Sequence, residues 1–313
     1  MLRRAGIKPA AVEILFDGAD IPIGQMEDFQ RSIPVKKALH PDTLLAYMMN
    51  GEKLPAKHGF PLRCVVPGWA GNSWMKWVTG VRVLTEESRG FWMKNAYLYP
   101  KKTVPPGTAV PAEEMNPVTN LRVKSIIAFP GDGSWHEVGK RIEMSGAAWS
   151  GDAGPVAAVD VSVDSGRSWK SARLTGESTR YGWRLWQFPW TPLDERHYTI
   201  LARARDAGGE VQPLVEEWNP SGYLWNAAAR AGVQVAKNPQ RATPVEDPAD
   251  PQSPASFMAC RVCHETDVIF QQRLTRAQWD RELSKMINWG ARPMSGEDRQ
   301  ALLDFLVKIA GPR

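Results

Sequence analysis

Residues 156–163 read Val-Ala-Ala-Val-Asp-Val-Ser-Val, and a turn signal, Asp164-Ser165-Gly166, follows them directly. Apolar and polar side chains alternate in this stretch with the period of a half-buried β-strand. Five similar segments lie between Asn120 and Ala207, at residues 122–127, 141–148, 169–174, 183–188 and 198–204. Six short strands separated by turns, over about 90 residues, predict an antiparallel sandwich of immunoglobulin size.

The composition indicates a multidomain chain. It has 313 residues, of which 43% are hydrophobic and 23% charged, so it is too long for one small domain and too apolar for disorder. No apolar run reaches the roughly 18 residues of a membrane helix, so we predict no membrane span. The net charge of +5 comes from 39 basic residues scattered among 34 acidic ones. This scatter argues against nucleic-acid binding and leaves open a basic docking surface for an acidic protein.

The C-terminal part contains Cys260-Arg261-Val262-Cys263-His264. This C-x-x-C-H spacing is the attachment pattern of haem c, in which the two thiols bond the haem covalently and His264 is the proximal iron ligand. A zinc site or a redox dithiol would need a second Cys/His pair or a βαβ context, which this segment lacks. We therefore predict one haem c and a periplasmic location. The sequence after Met1 shows no apolar run typical of an export signal.

The residues around this motif predict a linker and a small helical domain. Five prolines among polar residues at 236–256 are typical of an extended linker. In residues 257–313, Thr275 is placed to begin one helix and Ser295 to begin another. A segment this short buries little apolar surface, so the haem would supply the centre around which its helices pack.

Three methionines are candidates for the sixth iron ligand. Met258 lies too close to Cys260 to reach the opposite face of the haem, whereas Met286 shares a helical stripe with Trp279, and Met294 lies between the two predicted helices. Residues 260–313 resemble small cytochrome c domains attached to periplasmic dehydrogenases. That resemblance favours Met286 as the ligand, with Met294 as the alternative. A neutral sulfur ligand raises the iron potential, which suits the acceptance of electrons.

The first 117 residues predict irregular α+β structure with short strands. An apolar run at 44–49, the turn Asn50-Gly51 and a second run at 54–66 predict a hairpin. Strand alternation places Cys64 on an apolar face and Arg63 on the opposite one. We therefore interpret Cys64 as a small buried hydrophobe, because a metal-binding thiolate would need an electropositive, partly open setting.

Motifs in the first 235 residues resemble the sulfite oxidase family. Those that resemble the latter part of its molybdopterin domain are Arg31-Ser32-Ile33-Pro34, residues 44–51, residues 58–63, Val65-Val66-Pro67-Gly68 and Lys76-Trp77. Those that resemble its immunoglobulin-like dimerisation domain are residues 148–151, 159–169, 183–187 and 218–223. With the haem motif added, the chain resembles the bacterial sulfite or sulfane dehydrogenases.

The resemblance implies four parts. They are an α+β C-terminal part of a molybdopterin domain at 1–117, an all-β dimerisation domain at 118–235, a Pro-rich linker at 236–256 and an all-α monohaem cytochrome c domain at 257–313. The cysteine that binds molybdenum in the family lies ahead of the region matched by residue 1. We therefore assign no catalytic residue and expect molybdopterin in a longer protein, or in a complex with a molybdenum-binding partner.

Two positions depart from the family pattern. The active-site tyrosine of the family falls on Phe29, and the arginine that its second domain lends to the anion pocket falls on Ala158. A phenyl ring and a methyl group cannot transfer a proton or bind sulfite bidentately, so a less anionic or protein-bound sulfur substrate is the alternative to sulfite. His58, Arg63 and Lys76 lie in the matching motifs, where the implied role is the steering of an anion.

The expected function is a sulfite or sulfane dehydrogenase subunit or fragment. It would pass electrons from molybdenum to haem held by Cys260, Cys263, His264 and Met286, and then to an external cytochrome c. A homodimer through the sandwich is implied. The alternative is a non-catalytic, dimerising cytochrome c subunit that docks onto a separate enzyme.

Overall fold

The computed structural model describes residues 1–22, 26–105, 107–239, 254, 256–257, 260, 269, 272–288, 291 and 293–312. These residues form eighteen β-strands, four α-helices and three short 3-10 turns. The predicted linker at 236–256 falls mostly outside the described residues. Within the described ranges, no helix is both long enough and apolar enough to cross a membrane.

The first region is built on a three-stranded antiparallel sheet in the order β2-β1-β7. Its strands are β1 Glu13–Gly18, β2 Gln30–Pro34 and β7 Val78–Leu84. Ile14 and Ile33 are paired across β1 and β2 and are fully buried. They belong to an apolar core that also contains Phe16, Cys64, Val66, Trp69, Met75 and Val78.

Shorter elements surround this sheet. The helices α1 and α2 each have four residues, at Val35–Ala38 and Phe91–Lys94. Three two-stranded pairs are β3 Leu44–Ala46 with β6 Arg63–Val65, β4 Met48–Met49 with β5 Glu52–Lys53, and β8 Leu98–Pro100 with β9 Met115–Pro117.

The predicted turn at Asn50-Gly51 is confirmed, because Met49 pairs with Glu52 across it. The hairpin itself is shorter than we predicted. Its second run leaves the ladder at Pro55 and forms a 3-10 turn at Ala56–His58 before the chain returns as β6. Proline has no N–H to donate to a neighbouring strand, which explains this early end.

Two sheets form the predicted sandwich. The four-stranded sheet has the order β10-β12-β16-β15, with β10 Lys124–Phe129, β12 Ile142–Trp149, β16 Arg184–Trp190 and β15 Arg173–Thr175. The five-stranded sheet has the order β11-β18-β17-β13-β14, with β11 Ser134–Glu137, β18 Ala229–Ala236, β17 Arg196–Asp206, β13 Val156–Ser162 and β14 Lys170–Ser171. Trp186, Met144, Ile200 and Val233 are completely buried in the core.

All six segments predicted as strands contain strands, but the sandwich has two features that the sequence did not predict. Strands β11 and β18 were missed, and they pair in parallel with Ser134 opposite Val233, whereas the other sandwich pairs are antiparallel. The outermost strand β11 is thereby held against β18, which is itself paired to β17.

The C-terminal helices are α3 Arg276–Asn288 and α4 Gly296–Ala310. The predicted cap of α4 is confirmed, because the Asp298 backbone N–H donates to Ser295 Oγ at 3.0 Å. Trp279 and Leu283 of α3 are buried as expected. They share a core with Phe257, Ile269, Leu274, Leu302, Leu303, Phe305, Leu306, Ala310 and, from outside this segment, Trp218. We call residues 269–312 the helical module, within the described ranges.

Candidate functional site

Two basic side chains, Arg63 and Lys76, meet around Gly59 in the first region. Arg63 Nη1 donates to the His58 carbonyl oxygen at 3.1 Å, and Lys76 Nζ donates to the Lys57 carbonyl oxygen at 3.3 Å. Both cations also lie over indole rings, Arg63 at 5.8 Å from the centre of Trp74 and Lys76 at 4.2 Å from that of Trp77. Of the residues singled out in the sequence, the structure brings Arg63 and Lys76 together, and His58 contributes its backbone carbonyl oxygen.

Gly59 allows these side chains to approach one another. Its φ of 105° lies in the left-handed region, and a Cβ there would stand 3.0 Å from Lys76 Cβ and 3.1 Å from Arg63 Cβ. Only glycine combines this backbone conformation with so little space. Gly59 therefore permits the close approach of the two side chains.

The group has unused capacity to bind an anion. The Nε of Arg63 is buried and has no hydrogen-bond partner. Among the described residues, no carboxylate lies within 4.0 Å of either the Arg63 or the Lys76 cationic group. A buried donor without an acceptor is costly, so these residues fit an anionic group such as a phosphate.

Phe29 lies in a cluster of aromatic rings. Its ring centre is 5.2 Å from that of Trp92 and 6.2 Å from that of Tyr97, and Tyr97 is 5.5 Å from Tyr223. We call Phe29, Trp92, Tyr97 and Tyr223 the aromatic cluster. No group in the Phe29 side chain can exchange a proton.

A buried cation, Arg31, lies beside the aromatic cluster. The side chain is 1% exposed, and its guanidinium donates to the carbonyl oxygens of Trp92 and, at 3.5 Å, Val118. Burial lowers the pKa of Arg31 to about 10, so it stays charged at neutral pH. The sequence analysis quoted this residue only within a motif. In the sequence, the charged Arg31 lies between Phe29 and Ile33 on the apolar face of β2, and this pattern could have identified it as a buried cation.

Ala158 lies in the sandwich at an irregularity of β13, opposite Arg205 of β17. Its methyl group offers no hydrogen bond to an anion.

Cys64 is 1% exposed, and burial raises the pKa of its thiol to about 12. The prediction that Cys64 is a buried hydrophobe is confirmed, since a thiolate is disfavoured there.

Only part of the predicted haem site can be located. Cys260 is half-buried and packs against the core of the helical module, where burial raises the pKa of its thiol. Cys263, His264 and Met258 lie outside the described residues. Met286 lines a cavity of about 60 Å³ with Trp279, Leu274 and Gly222, whereas Met294 packs against the module core. These positions do not distinguish between the two methionines as ligands. Cys260 and Met294 both lie at the edge of this core.

No other metal site was found in the part of the chain that is described, because nowhere do three His, Cys, Asp or Glu side chains come close enough to hold an ion. The basic group at Gly59 is therefore the best-formed candidate site there. Its chemistry is that of anion binding.

Comparison with known proteins identifies the class. Residues 1–92 match the oxidoreductase molybdopterin binding domain, and residues 115–236 match the Mo-co oxidoreductase dimerisation domain. The chain thus carries two domains of the sulfite oxidase family, as their motifs led us to expect.

Individual relatives agree with this class. Mitochondrial sulfite oxidase of Homo sapiens is 38% identical over 248 residues, which are 75% of this chain and 45% of the relative. Mitochondrial sulfite oxidase of Drosophila melanogaster is 35% identical and covers 75% of this chain and 44% of its own length. The chain therefore spans less than half of these relatives. The crystal structure of the sulfane dehydrogenase SoxCD from Paracoccus pantotrophus is similar with a TM-score of 0.61 and 28% identity, over 74% of this chain and 57% of that one.

Proposed function

We propose that the chain is a subunit or fragment of a periplasmic, molybdopterin-dependent dehydrogenase of sulfur compounds. Electrons would pass from a molybdenum centre to one haem c and then to an external cytochrome c. The observation that carries the proposal is the basic group at Gly59, with the buried, unpartnered Nε of Arg63, inside the segment that matches the molybdopterin binding domain.

Molybdopterin, when bound, supplies the two-electron oxidation at molybdenum. The residues of this chain would hold its anionic part, with Arg63 offering a directional donor and Lys76 a nearby point charge. Gly59 keeps the two side chains close. Phe29 and Ala158 add neither a proton nor a guanidinium, so we infer a sulfur substrate that is less anionic than sulfite or is bound to a protein.

The first test is the molybdenum-to-iron ratio of the protein purified from its native compartment. Comparable amounts of both metals are expected. Arg63→Gln and Lys76→Gln should each lower molybdenum content severalfold and leave iron unchanged, whereas Arg89→Gln, at an 83% exposed side chain outside the group, should change neither. Iron without molybdenum would overturn the proposal.

The haem is proposed to bond to Cys260 and Cys263, with His264 and Met286 as axial ligands. Cys260→Ser should weaken covalent attachment, measured as the haem that remains with the protein after denaturation. Met286→Leu should remove the near-infrared band of methionine-ligated ferric haem, and Met294→Leu should keep it. The reverse pattern would make Met294 the ligand.

The second candidate is a dimerising electron carrier that docks onto a separate enzyme. It is supported by the cysteines among the described residues, since Cys64 is buried and Cys260 belongs to the haem motif, so neither offers an open thiolate to molybdenum. Iron without molybdenum, together with haem reduction only when a partner enzyme is added, would support the carrier. Both candidates share a homodimer formed through the domain at 115–236.

A further inference from the structure

Residues 218–223, which we call the strap, lie between β17 and β18 and contact the helical module. Trp218 is 8% exposed and belongs to the same buried cluster as Trp279 and Phe305. Its indole Nε1 donates to Gln272 Oε1 at 2.7 Å. One residue of the strap is therefore part of the core of the module.

A second contact holds the module to the first region. Gln278 Nε2 of α3 donates to the Gly107 carbonyl oxygen at 2.9 Å, and Val104 packs against the module core. A Cβ on Gly107 would stand 3.3 Å from the Arg273 carbonyl oxygen, so the two backbones approach closely. The module is thus held from two sides.

The strap also contacts the aromatic cluster. Tyr223 ends the strap, with its ring centre 5.5 Å from that of Tyr97, which in turn lies 6.2 Å from Phe29. Asn219 Nδ2 donates to the Tyr223 carbonyl oxygen at 3.0 Å and so fixes the strap's turn. The adjacent Gly222 lines the cavity that contains Met286. A short run of residues therefore joins the aromatic cluster to the Met286 side of the module.

We propose that the strap is the docking surface of the helical module and that Trp218 fixes the module there, with its Met286 side toward the aromatic cluster. This differs from a module that swings freely on its linker. The electron-transfer role rests on the proposed function, whereas docking does not. With the cofactors bound as proposed, a molybdopterin held at Arg63 and Lys76 would donate one electron at a time to the haem held by Cys260 and Cys263, and the strap would connect the two parts of the chain that carry them.

The docking is tested in the full haem-loaded chain by hydrogen–deuterium exchange of α3 and of residues 104–112, together with the radius of gyration. Trp218→Ala should raise exchange at both segments at least tenfold and enlarge the radius. Trp218→Phe should give a smaller change, because it keeps a ring and loses the bond to Gln272. Trp183→Ala, at a 62% exposed ring on the sandwich, is the matched control.

An unchanged haem spectrum confirms that the module of each variant remains folded. If Trp218→Ala unfolds the module, the experiment uses Gln278→Ala instead. This second substitution removes the surface hydrogen bond to the Gly107 carbonyl oxygen. Exchange and radius that stay unchanged in a folded Trp218→Ala or Gln278→Ala protein would overturn the docking.

The electron-transfer role is tested by the rate of haem reduction in a single turnover. Trp218→Ala should slow reduction from within the protein at least tenfold and leave reduction by ascorbate unchanged. If the module is released but the internal rate does not change, the role is overturned and the docking stands. Protein that carries iron without molybdenum but keeps the module docked would reject the proposed function alone.

Discussion

The guanidinium of Arg31 lies over the ring of Tyr97, with its central carbon 5.5 Å from the ring centre. Arg31 thereby joins β2 to the segment that contains α2, since it also donates to the Trp92 carbonyl oxygen. It makes no ion pair with any carboxylate among the described residues. Its charge is accommodated by carbonyl oxygens and a π face instead.

We expect Arg31→Lys to lower the free energy of unfolding by about 2 kcal/mol, because an ammonium cannot replace the planar guanidinium at both the Trp92 carbonyl oxygen and the Tyr97 ring. Urea unfolding at neutral pH measures the change. Arg89→Lys, at an exposed position, is the control and should stay within about 0.5 kcal/mol. An Arg31→Lys protein as stable as the parent would show that the planar fork of Arg31 is dispensable.

Gly59→Ala should cost about 3 kcal/mol of stability, since both the left-handed backbone and the contact with Lys76 Cβ oppose a methyl group. The matched control is Gly51→Ala, where φ is 83° but nothing lies within 4 Å of the added Cβ. That change should cost only about 1 kcal/mol. If urea unfolding shows the same loss of unfolding free energy for both substitutions, the Lys76 and Arg63 side chains must move away from the added Cβ at no energetic cost.

At alkaline pH, the free energy of unfolding should depend on the ionisation of the Cys64 thiol. Burial raises the folded-state pKa of this thiol from 9.0 to about 12, so its contribution is complete below pH 9 and is lost as the pH rises toward 12. At pH 10.5 the protein should have lost about 2 kcal/mol through this group. Cys64→Val removes the titrating group, and the difference in unfolding free energy between variant and parent at pH 8 and pH 10.5 isolates the effect. A constant difference would contradict the burial of the thiol.

Alkylation gives an independent measure of the same burial. Iodoacetamide at pH 8 should leave Cys64 unmodified in the folded protein and modify it fully in denaturant, because the buried thiol is both protonated and inaccessible. Mass spectrometry of the peptide that contains residue 64 reads the outcome. Rapid modification of the folded protein would instead indicate an accessible, reactive thiolate.

Gly146→Ala should disrupt the sandwich more severely than a typical core substitution. A Cβ at this position of β12 would overlap the Ile126 carbonyl oxygen and the Trp186 ring, neither of which can move without breaking the sheet or its core. We expect a loss of about 4 kcal/mol. Gly71→Ala, in open space, is the control and should be nearly neutral in thermal unfolding.

Strand alternation predicted the sandwich well where large apolar residues mark one face. It missed β18, in which the buried Ala231, Val233 and Val235 alternate with Gly232 and Gln234, because four of its eight residues are Ala or Gly and the apolar signal is weak. It missed β11 because Ser-Trp-His-Glu has no apolar face of its own. That strand is held by its pairing with β18, which is a tertiary property.

The motifs predicted the basic residues. They did not predict how closely Lys76 and Arg63 approach each other around Gly59, because that distance depends on the relative positions of β6 and β7. The contacts of the strap were missed for the same reason. Trp218 lies in the core of the helical module, although its motif resembles the dimerisation domain. Long-range contacts of this kind leave no periodic signal in the sequence.

The parallel pairing of β11 with β18 makes the sandwich dependent on its last strand. Because β18 lies inside the five-stranded sheet, a chain that ends before Ala229 would leave β17 with an open edge and β11 with nothing to pair with. Open edges recruit other strands and promote aggregation. During synthesis, the domain therefore exposes strand edges that can self-associate until the chain has been made as far as residue 236 and β18 can pair. This holds whether the chain belongs to an enzyme or to an electron carrier.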